Sequence, residues 1–483
     1  MSKRLYPLGV TGLSVILTLA GGCGPPAGPT APATTGPAGS RVAVGYADGR
    51  AEAEYRPRVT AWANRVSATV VAADLAAADV LIVPAADLGG LAENGGLLPV
   101  SELVSGEASG YQWNGLLRVY QTILAQWGAT EYAAPLTGEG WVAVYRADLL
   151  KEPGFVKEFN EQHRRPPLPV RTWEDLAAVA AARAKFTGRP SLPPLPADPD
   201  AVLTALCQVA ACYDRSPAAD RGGVEDFRRG RSFLTAADTG RPRIDTPGFV
   251  EAFRWFAGTS RVRPAEPGDP IDALVSGSAV AAVVPVADLL RLPVDPKTGA
   301  IDARFELAGV PGSQSYFEPA GEKRTVGSAN LVPYFAGTGL VGVVRKTAPH
   351  PDACWRLLAE LGGPTGSTLA IGPPLGGGPL RSAHVTDDSR VWGQYRLDPP
   401  GTASLREAMR QFTAGGVNPA IGLRTPDRKA IAEVIAKQVR LAATGKADAT
   451  AAMKQATADW AELDAKVPEA TRKAWRKKTA GVE

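Results

Sequence analysis

Asp79-Val80-Leu81-Ile82-Val83-Pro84 is the stretch that decides the fold. It is apolar at every position from Val80 to Val83, with no polar residue alternating in between. Such a run reads as a strand covered on both faces, the habit of parallel strands in α/β proteins. Working outward, Arg41-Val42-Ala43-Val44-Gly45-Tyr46 and Ala68 to Ala72 read as two further strands. Between them, Glu52 to Arg65 carries Tyr55, Val59 and Trp62 at helical spacing. Strands alternating with helices place the chain in the α/β class.

The pattern continues downstream. Tyr132–Leu136 and Trp141–Tyr145 read as strands, as do Ala279–Val284, Phe305–Val310 and Leu340–Val344. Thr172-Trp173-Glu174-Asp175 is a helix start, with a hydroxyl cap and an acidic residue three positions on. Helices follow over Asp200–Tyr213, Pro247–Phe256 and His350–Leu361. Pro190–Pro199 and the Gly/Pro-rich residues 362–379 read as loops. From Pro426 to Lys478 the chain reads as helix in two or three pieces, broken near Thr444-Gly445.

The 483 residues suffice for two or three domains, and 45% hydrophobic with 21% charged residues is the composition of a soluble globular protein. The net charge is +4, with 53 basic residues scattered against 49 acidic ones. The densest basic cluster, Arg472, Lys473, Arg476, Lys477 and Lys478, reads as a solvated helix end, and no nucleic-acid partner is expected. The three histidines, His163, His350 and His384, have no metal-ligand spacing. No nucleophile elbow or phosphate loop occurs, so neither a metal, a cofactor nor catalysis is expected. Cys207 and Cys212 lie five apart in a helical segment, where a regular helix points them to different faces; the sequence leaves their pairing open.

At the front, Lys3 and Arg4 precede the apolar run Leu8–Ala20, too short to span a bilayer stably and placed where an export signal sits. Ala20-Gly21-Gly22-Cys23 resembles the lipobox of bacterial lipoproteins, which implies lipidation at Cys23 and a membrane-anchored, extracytoplasmic protein. Residues 24–40, built of small residues and proline, read as a disordered tether.

Several segments, in order, resemble the extracellular solute-binding proteins of sugar-type ABC transporters, the class of maltose-binding protein. They are Asp79-Val80 with Leu91–Val100, Ala134-Pro135-Leu136 with Val144–Leu150, Arg171–Leu176, Leu307–Gly312, Leu340–Val344 with Pro349–Trp355, and Thr444–Met453. The resemblance covers about residues 41–470. It implies two α/β lobes joined by hinge strands, residues 41–140 with 308–362 forming one and 142–306 with 363–470 the other, followed by a basic tail over 471–483. Crossings are then expected near Gly140–Val144 and Leu307–Pro311. It further implies a monomer that captures a small polar solute, a saccharide foremost, and hands it to ABC permease subunits. The alternatives are a two-lobed sensor or envelope partner without transport, and an extracellular hydrolase.

A sugar binder needs aromatic plates for ring faces and polar groups for hydroxyl edges. Side chains following the strands supply the candidates: Tyr46, Asp48, Asp87, Glu139, Trp141, Tyr316, Phe317, Tyr334 and Phe335, with Asn418 and Arg424 ahead of the last helices. Asp48 and Asp87 fit helix caps equally well, and Trp141 and Tyr334 fit core packing equally well. Positions where the family often places an aromatic plate hold Ala85 and Val286.

Overall fold

A computed structural model describes residues 39–216, 233–236, 239–318, 321–386, 391–414 and 419–481. The export segment, Cys23, most of the expected tether and Asn418 lie outside the described residues.

The first sheet forms around the run that opened the sequence reading. Strands β1 (Arg41–Tyr46), β2 (Thr69–Ala72) and β3 (Val80–Pro84) run parallel, with Val44 opposite Val80. Between β1 and β2 lies helix α1 (Gly49–Val66), whose first turn is capped by Asp48 Oδ1, which accepts from Arg50 N at 2.9 Å and Ala51 N at 2.8 Å. Tyr55, Val59 and Trp62 face inward, as their spacing predicts. After β3 the chain makes the short helix α2 (Leu88–Glu93) and later strand β4 (Ala133–Pro135). The sheet order is β2-β1-β3-X-β4, where X is a strand from far downstream, Leu340–Val344, antiparallel to both neighbours.

Strand β5 (Trp141–Arg146) begins the second sheet and is buried along its whole length. It lies between β6 (Ala281–Pro285) and β7 (Phe305–Ala308), antiparallel to both, with Trp141 opposite Pro285 and Ala143 opposite Ala308. Because side chains alternate along a strand, β5 feeds two cores. Ala143 and Tyr145 join a large helical core, while Val142 and Val144 join another on the opposite face. Helices α3 (Pro153–His163), α4 (Trp173–Thr187), α5 (Pro199–Asp214) and α6 (Pro247–Gly258) supply the first of these. The predicted box at the start of α4 is present: Asp175 N donates to Thr172 Oγ1 at 3.1 Å, and Thr172 N to Asp175 Oδ2 at 3.3 Å. Cys207 and Cys212 are separate buried thiols.

The expected second crossing is corrected. After β7 the chain does not pass to the first lobe; it forms a hairpin of β8 (Ser313–Phe317) and β9 (Lys323–Asn330) against the second lobe. Ser313 Oγ donates to Cys212 O at 2.7 Å, Asn330 Nδ2 to Arg215 O at 2.7 Å, and Trp173 N to Gly312 O at 2.8 Å. Only after β10 (Tyr334–Phe335) does the chain cross, at residues 336–339, into β11 (Leu340–Val344), the inserted strand of the first sheet. The third crossing also comes later than expected. Helix α7 (Pro351–Gly362) is followed by α8 (Pro364–Leu369), where the sequence suggested only loop. Leu117 N then bonds Leu380 O, and Ser382 N bonds Gly115 O, so residues through Ser382 still touch the first lobe.

The C-terminal reading holds in outline and fails at the end. Helices α9 (Pro399–Ala414), α10 (Arg428–Ala443), α11 (Ala449–Ala465) and α12 (Glu469–Ala480) complete the second lobe, and the break at Thr444-Gly445 is present. The basic cluster is not a solvated tail: in α12 the Arg476 side chain is fully buried, because Asp427 and Asp464 meet it at 2.9 and 3.3 Å. 

His384 is one buried group with a clear pH consequence. Its Nδ1 accepts from Leu380 N at 3.2 Å and Arg381 N at 3.4 Å, which fixes the tautomer with the proton on Nε2, facing Thr368 Oγ1. Burial, with the Arg381 charge adding to it, pulls the pKa from 6.5 to about 4. The unfolded chain therefore takes up a proton first, so stability present above pH 6.5 is lost as pH falls toward 4. Urea unfolding at pH 7 and pH 4.5 should show a smaller acid loss in His384→Asn than in the wild type. Equal losses would remove His384 as a cause.

Candidate functional site

The carboxyl ends of β1, β3 and β6 point toward one cleft of about 410 Å³, lined by both lobes. This is where open α/β sheets leave room for ligands. From the first lobe come Asp48 and Arg50 at the start of α1, Pro84 and Ala86 after β3, and Thr137 to Gly140 leading into β5. From the second come Trp141, then Pro285 ending β6 with Val286 and Ala287 after it, and Asp198, Asp200, Ala201, Leu203 and Thr204 at the start of α5. The crossing residues 336–338, Gly376–Gly378 and Arg428 close the remainder.

The floor is made of backbone. Gly138 and Gly378 pair as an antiparallel bridge. A Cβ on Gly138 would sit 2.0 Å from Pro379 O, and one on Gly378 would sit 2.1 Å from the Glu139 carbonyl carbon. Glycine is required here for close approach of two chains.

Glu139 is buried where the chain passes between lobes. Its Oε2 accepts from Thr338 N and Thr338 Oγ1, both at 2.7 Å. Its Oε1 makes no hydrogen bond of good geometry, although the Gly337 and Ala336 amides lie near enough the carboxylate to favour its ionised form. Burial raises the Glu139 pKa, and the Thr338 hydrogen bonds offset this only partly. Two residues on, Trp141 is 7% exposed and its Nε1 is also buried without a partner. Both residues thus line the cleft, each with one buried polar atom that lacks a hydrogen bond. Buried polar groups are rarely left unpaired; these two share that state with Tyr55 Oη, Tyr145 Oη and Trp460 Nε1 in the cores.

Several other charges at the cleft are already engaged. Asp48 caps α1, and Asp198 caps α5 through Asp200 N and Ala201 N. Arg428 bonds Asp87 Oδ1 through Nε at 3.2 Å and Nη2 at 2.5 Å, and Asp200 Oδ2 through Nη1 at 2.8 Å. Asp87 makes no helix cap; it is an ion-pair partner. Walls of Pro84, Ala86, Val286, Ala287, Leu375 and Leu423 give apolar surface between the polar groups.

Of the residues chosen from sequence, Asp48, Glu139, Trp141 and Tyr334 line the cleft, and Asp87 reaches it through Arg428. Tyr334 is mostly packed into the helical core, against Phe233 at 5.9 Å. The rest lie elsewhere. Tyr46 packs on the first-lobe core, and burial raises its pKa to about 12. Phe335 is core, meeting Tyr120 edge-to-face and Phe412 at a tilt. Tyr316 and Phe317 sit on the β8–β9 hairpin, paired with Arg324 and Lys323, because the crossing they were thought to follow is displaced. Arg424 is buried away from the cleft, giving Nη1 to Ile123 O and Gln126 O at 2.6 Å each. Sequence reasoning missed Thr338, Arg50, Asp200, Arg428 and the glycine floor. Asp198-Pro199-Asp200 carried a usable signal, a helix-capping acid before an N1 proline.

Among the described residues, no group of three His, Cys, Asp or Glu could hold a metal ion, and no helix is long and apolar enough to cross a membrane.

Residues 59–191 match the family of bacterial extracellular solute-binding proteins. No curated protein sequence matches the chain. Among solved structures, the chain is similar to a solute-binding protein of an ABC transporter from Agrobacterium radiobacter K84 in complex with ribitol. The two share 15% identity over 88% of this chain and 99% of that one, with a TM-score of 0.61. The sugar-binding protein MalE of Xanthomonas citri gives 16% identity, 88% and 98% coverage and a TM-score of 0.61. An ABC substrate-binding protein of Listeria monocytogenes in complex with cycloalternan gives 13%, 88%, 99% and 0.62. The fold is therefore that of the two-lobed, maltose-binding-like solute-binding proteins, as the sequence resemblance implied. The proteins so matched are binding proteins, not enzymes.

Proposed function

We propose that this protein captures a small hydroxyl-bearing solute, a saccharide or polyol, between its lobes and delivers it to an ABC permease. The observation that carries the reading is the interlobe cleft of about 410 Å³ lined by Glu139 and Trp141, each with a buried polar atom, Oε1 and Nε1, that lacks a hydrogen bond. A hydroxyl both donates and accepts, so hydroxyls meet both needs. The Trp141 ring and the aliphatic walls suit the apolar face of a ring or chain. Two of the similar structures are complexes with ribitol and with cycloalternan, which supports the same solute class.

The test is a thermal-shift screen of the full chain with monosaccharides, oligosaccharides and polyols. A solute bound only by the native state raises stability by about 2.7 kcal/mol at a hundredfold excess over Kd. Glu139→Gln turns the orphan acceptor into a donor while leaving an oxygen for Thr338. It should remove most of the shift and change the solute-free melting little. No shift with any member of the panel would sink the reading.

The lipobox-like Ala20-Gly21-Gly22-Cys23 supports a lipid tether on the extracytoplasmic side. Cys23→Ser should move the protein from the membrane fraction to the soluble one; continued pelleting would contradict the tether.

A further inference from the structure

Helix α2 of the first lobe is gripped at both ends by the C-terminal part of the second lobe. At its start, Asp87 pairs with Arg428, whose other side is held by Asp200. At its end, Glu93 accepts from Trp127 Nε1 at 2.6 Å, Lys478 Nζ at 2.6 Å and Trp475 Nε1 at 3.1 Å. Burial alone would raise the Glu93 pKa, but Lys478 and the indole donors outweigh it and hold it below the usual value. Between the two ends the backbones touch: a Cβ on Gly89 would lie 2.0 Å from Arg424 O. Lys478 O also accepts from Gly128 N at 3.2 Å.

Helix α12 is in turn fixed to the second lobe through Arg476 on Asp427 and Asp464. It begins at Glu469, near the end of the stretch whose sequence resembles the solute-binding family.

We infer that α12 and the Arg424–Arg428 turn form a clasp that joins the lobes without any ligand. Separating the lobes here requires breaking both the Asp87–Arg428 pair and the Glu93 cluster, together with the Gly128 N–Lys478 O bond and the Arg424 bonds to Ile123 O and Gln126 O. The solute-free protein is then held with its lobes together, and solute entry waits on transient release of the clasp. The inference rests on the fold and the contacts, not on the identity or existence of a solute.

The experiment measures an interlobe distance in the absence of solute. Spin labels are placed at Thr60→Cys on α1 and Glu161→Cys on α3, both exposed, in the full chain carrying Cys23→Ser; the three remaining cysteines are buried. Double electron–electron resonance should give one narrow distance population in this background. Adding Asp87→Asn with Glu93→Gln should create a second population, longer by at least about 5 Å and holding a fifth or more of the molecules. A broad distribution in the background protein, or an unchanged one in the double variant, would overturn the clasp. Circular dichroism checks folding. Should the double variant not fold, Lys478→Met with its distance read at 0.1 M and 1 M KCl decides. Lost pairing and screening of the remaining charges should lengthen the distance, and no lengthening would overturn the inference.

Discussion

Arg476→Ala lowers the unfolding free energy by about 3–5 kcal/mol, the usual result of removing one partner from a buried ion pair. The guanidinium has no solvent exposure and meets Asp427 and Asp464 together, and its Nη1 also donates to Thr425 Oγ1 at 2.7 Å. Asp464 is itself nearly buried, and burial raises its pKa despite Arg476 and Arg472 nearby. Taking Arg476 away leaves that carboxylate to ionise without its strongest partner or to take a proton. Arg476→Lys should recover only part of the loss, because an ammonium cannot reach two carboxylates with a planar fork. Urea unfolding followed by tryptophan fluorescence gives the number, and a loss under about 1 kcal/mol would mean the pair is dispensable.

Gly378→Ala should cost about 3 kcal/mol, the upper end for overpacking, and should abolish any solute-induced thermal shift. The new methyl would meet the Glu139 carbonyl carbon at 2.1 Å, its oxygen at 2.3 Å and Gly140 N at 2.5 Å. These are backbone atoms, so no flexible side chain can yield. Relief would have to come from moving the loop or the crossing strand, which would carry Glu139 and Trp141 out of place. Gly393→Ala is the control: no atom lies within 4 Å of its built Cβ, so the change should stay within about 0.5 kcal/mol. Gly378→Ala with normal stability and a normal solute response would show that the floor can relax.

The first sheet was legible because its strands carry their burial in their composition: Val80 to Val83 could not face water, and Tyr55, Val59 and Trp62 could only form one helix face. The class followed from the alternation. The hairpin Ser313–Asn330 was not legible, since its anchoring bonds run to carbonyls of Cys212 and Arg215, about a hundred residues away. Local pattern holds no trace of such partners. The same applies to Arg476, which looked solvated among Lys473, Lys477 and Lys478; its burial depends on two distant aspartates. In the cleft, Glu139 and Trp141 were reachable from sequence because they border a strand at a crossing. Arg428 and Thr338 were not, because their relevance comes only from what faces them.

The placement of Leu340–Val344 between Val80–Pro84 and Ala133–Pro135 has a temporal meaning. A nascent chain cannot complete the first sheet until residue 344 is available, and the second sheet waits for Phe305–Ala308 to reach Trp141–Arg146. Neither half can mature as a self-contained N-terminal piece during synthesis. Contacts of such sequence separation slow folding, and that delay is supplied by the strand order itself.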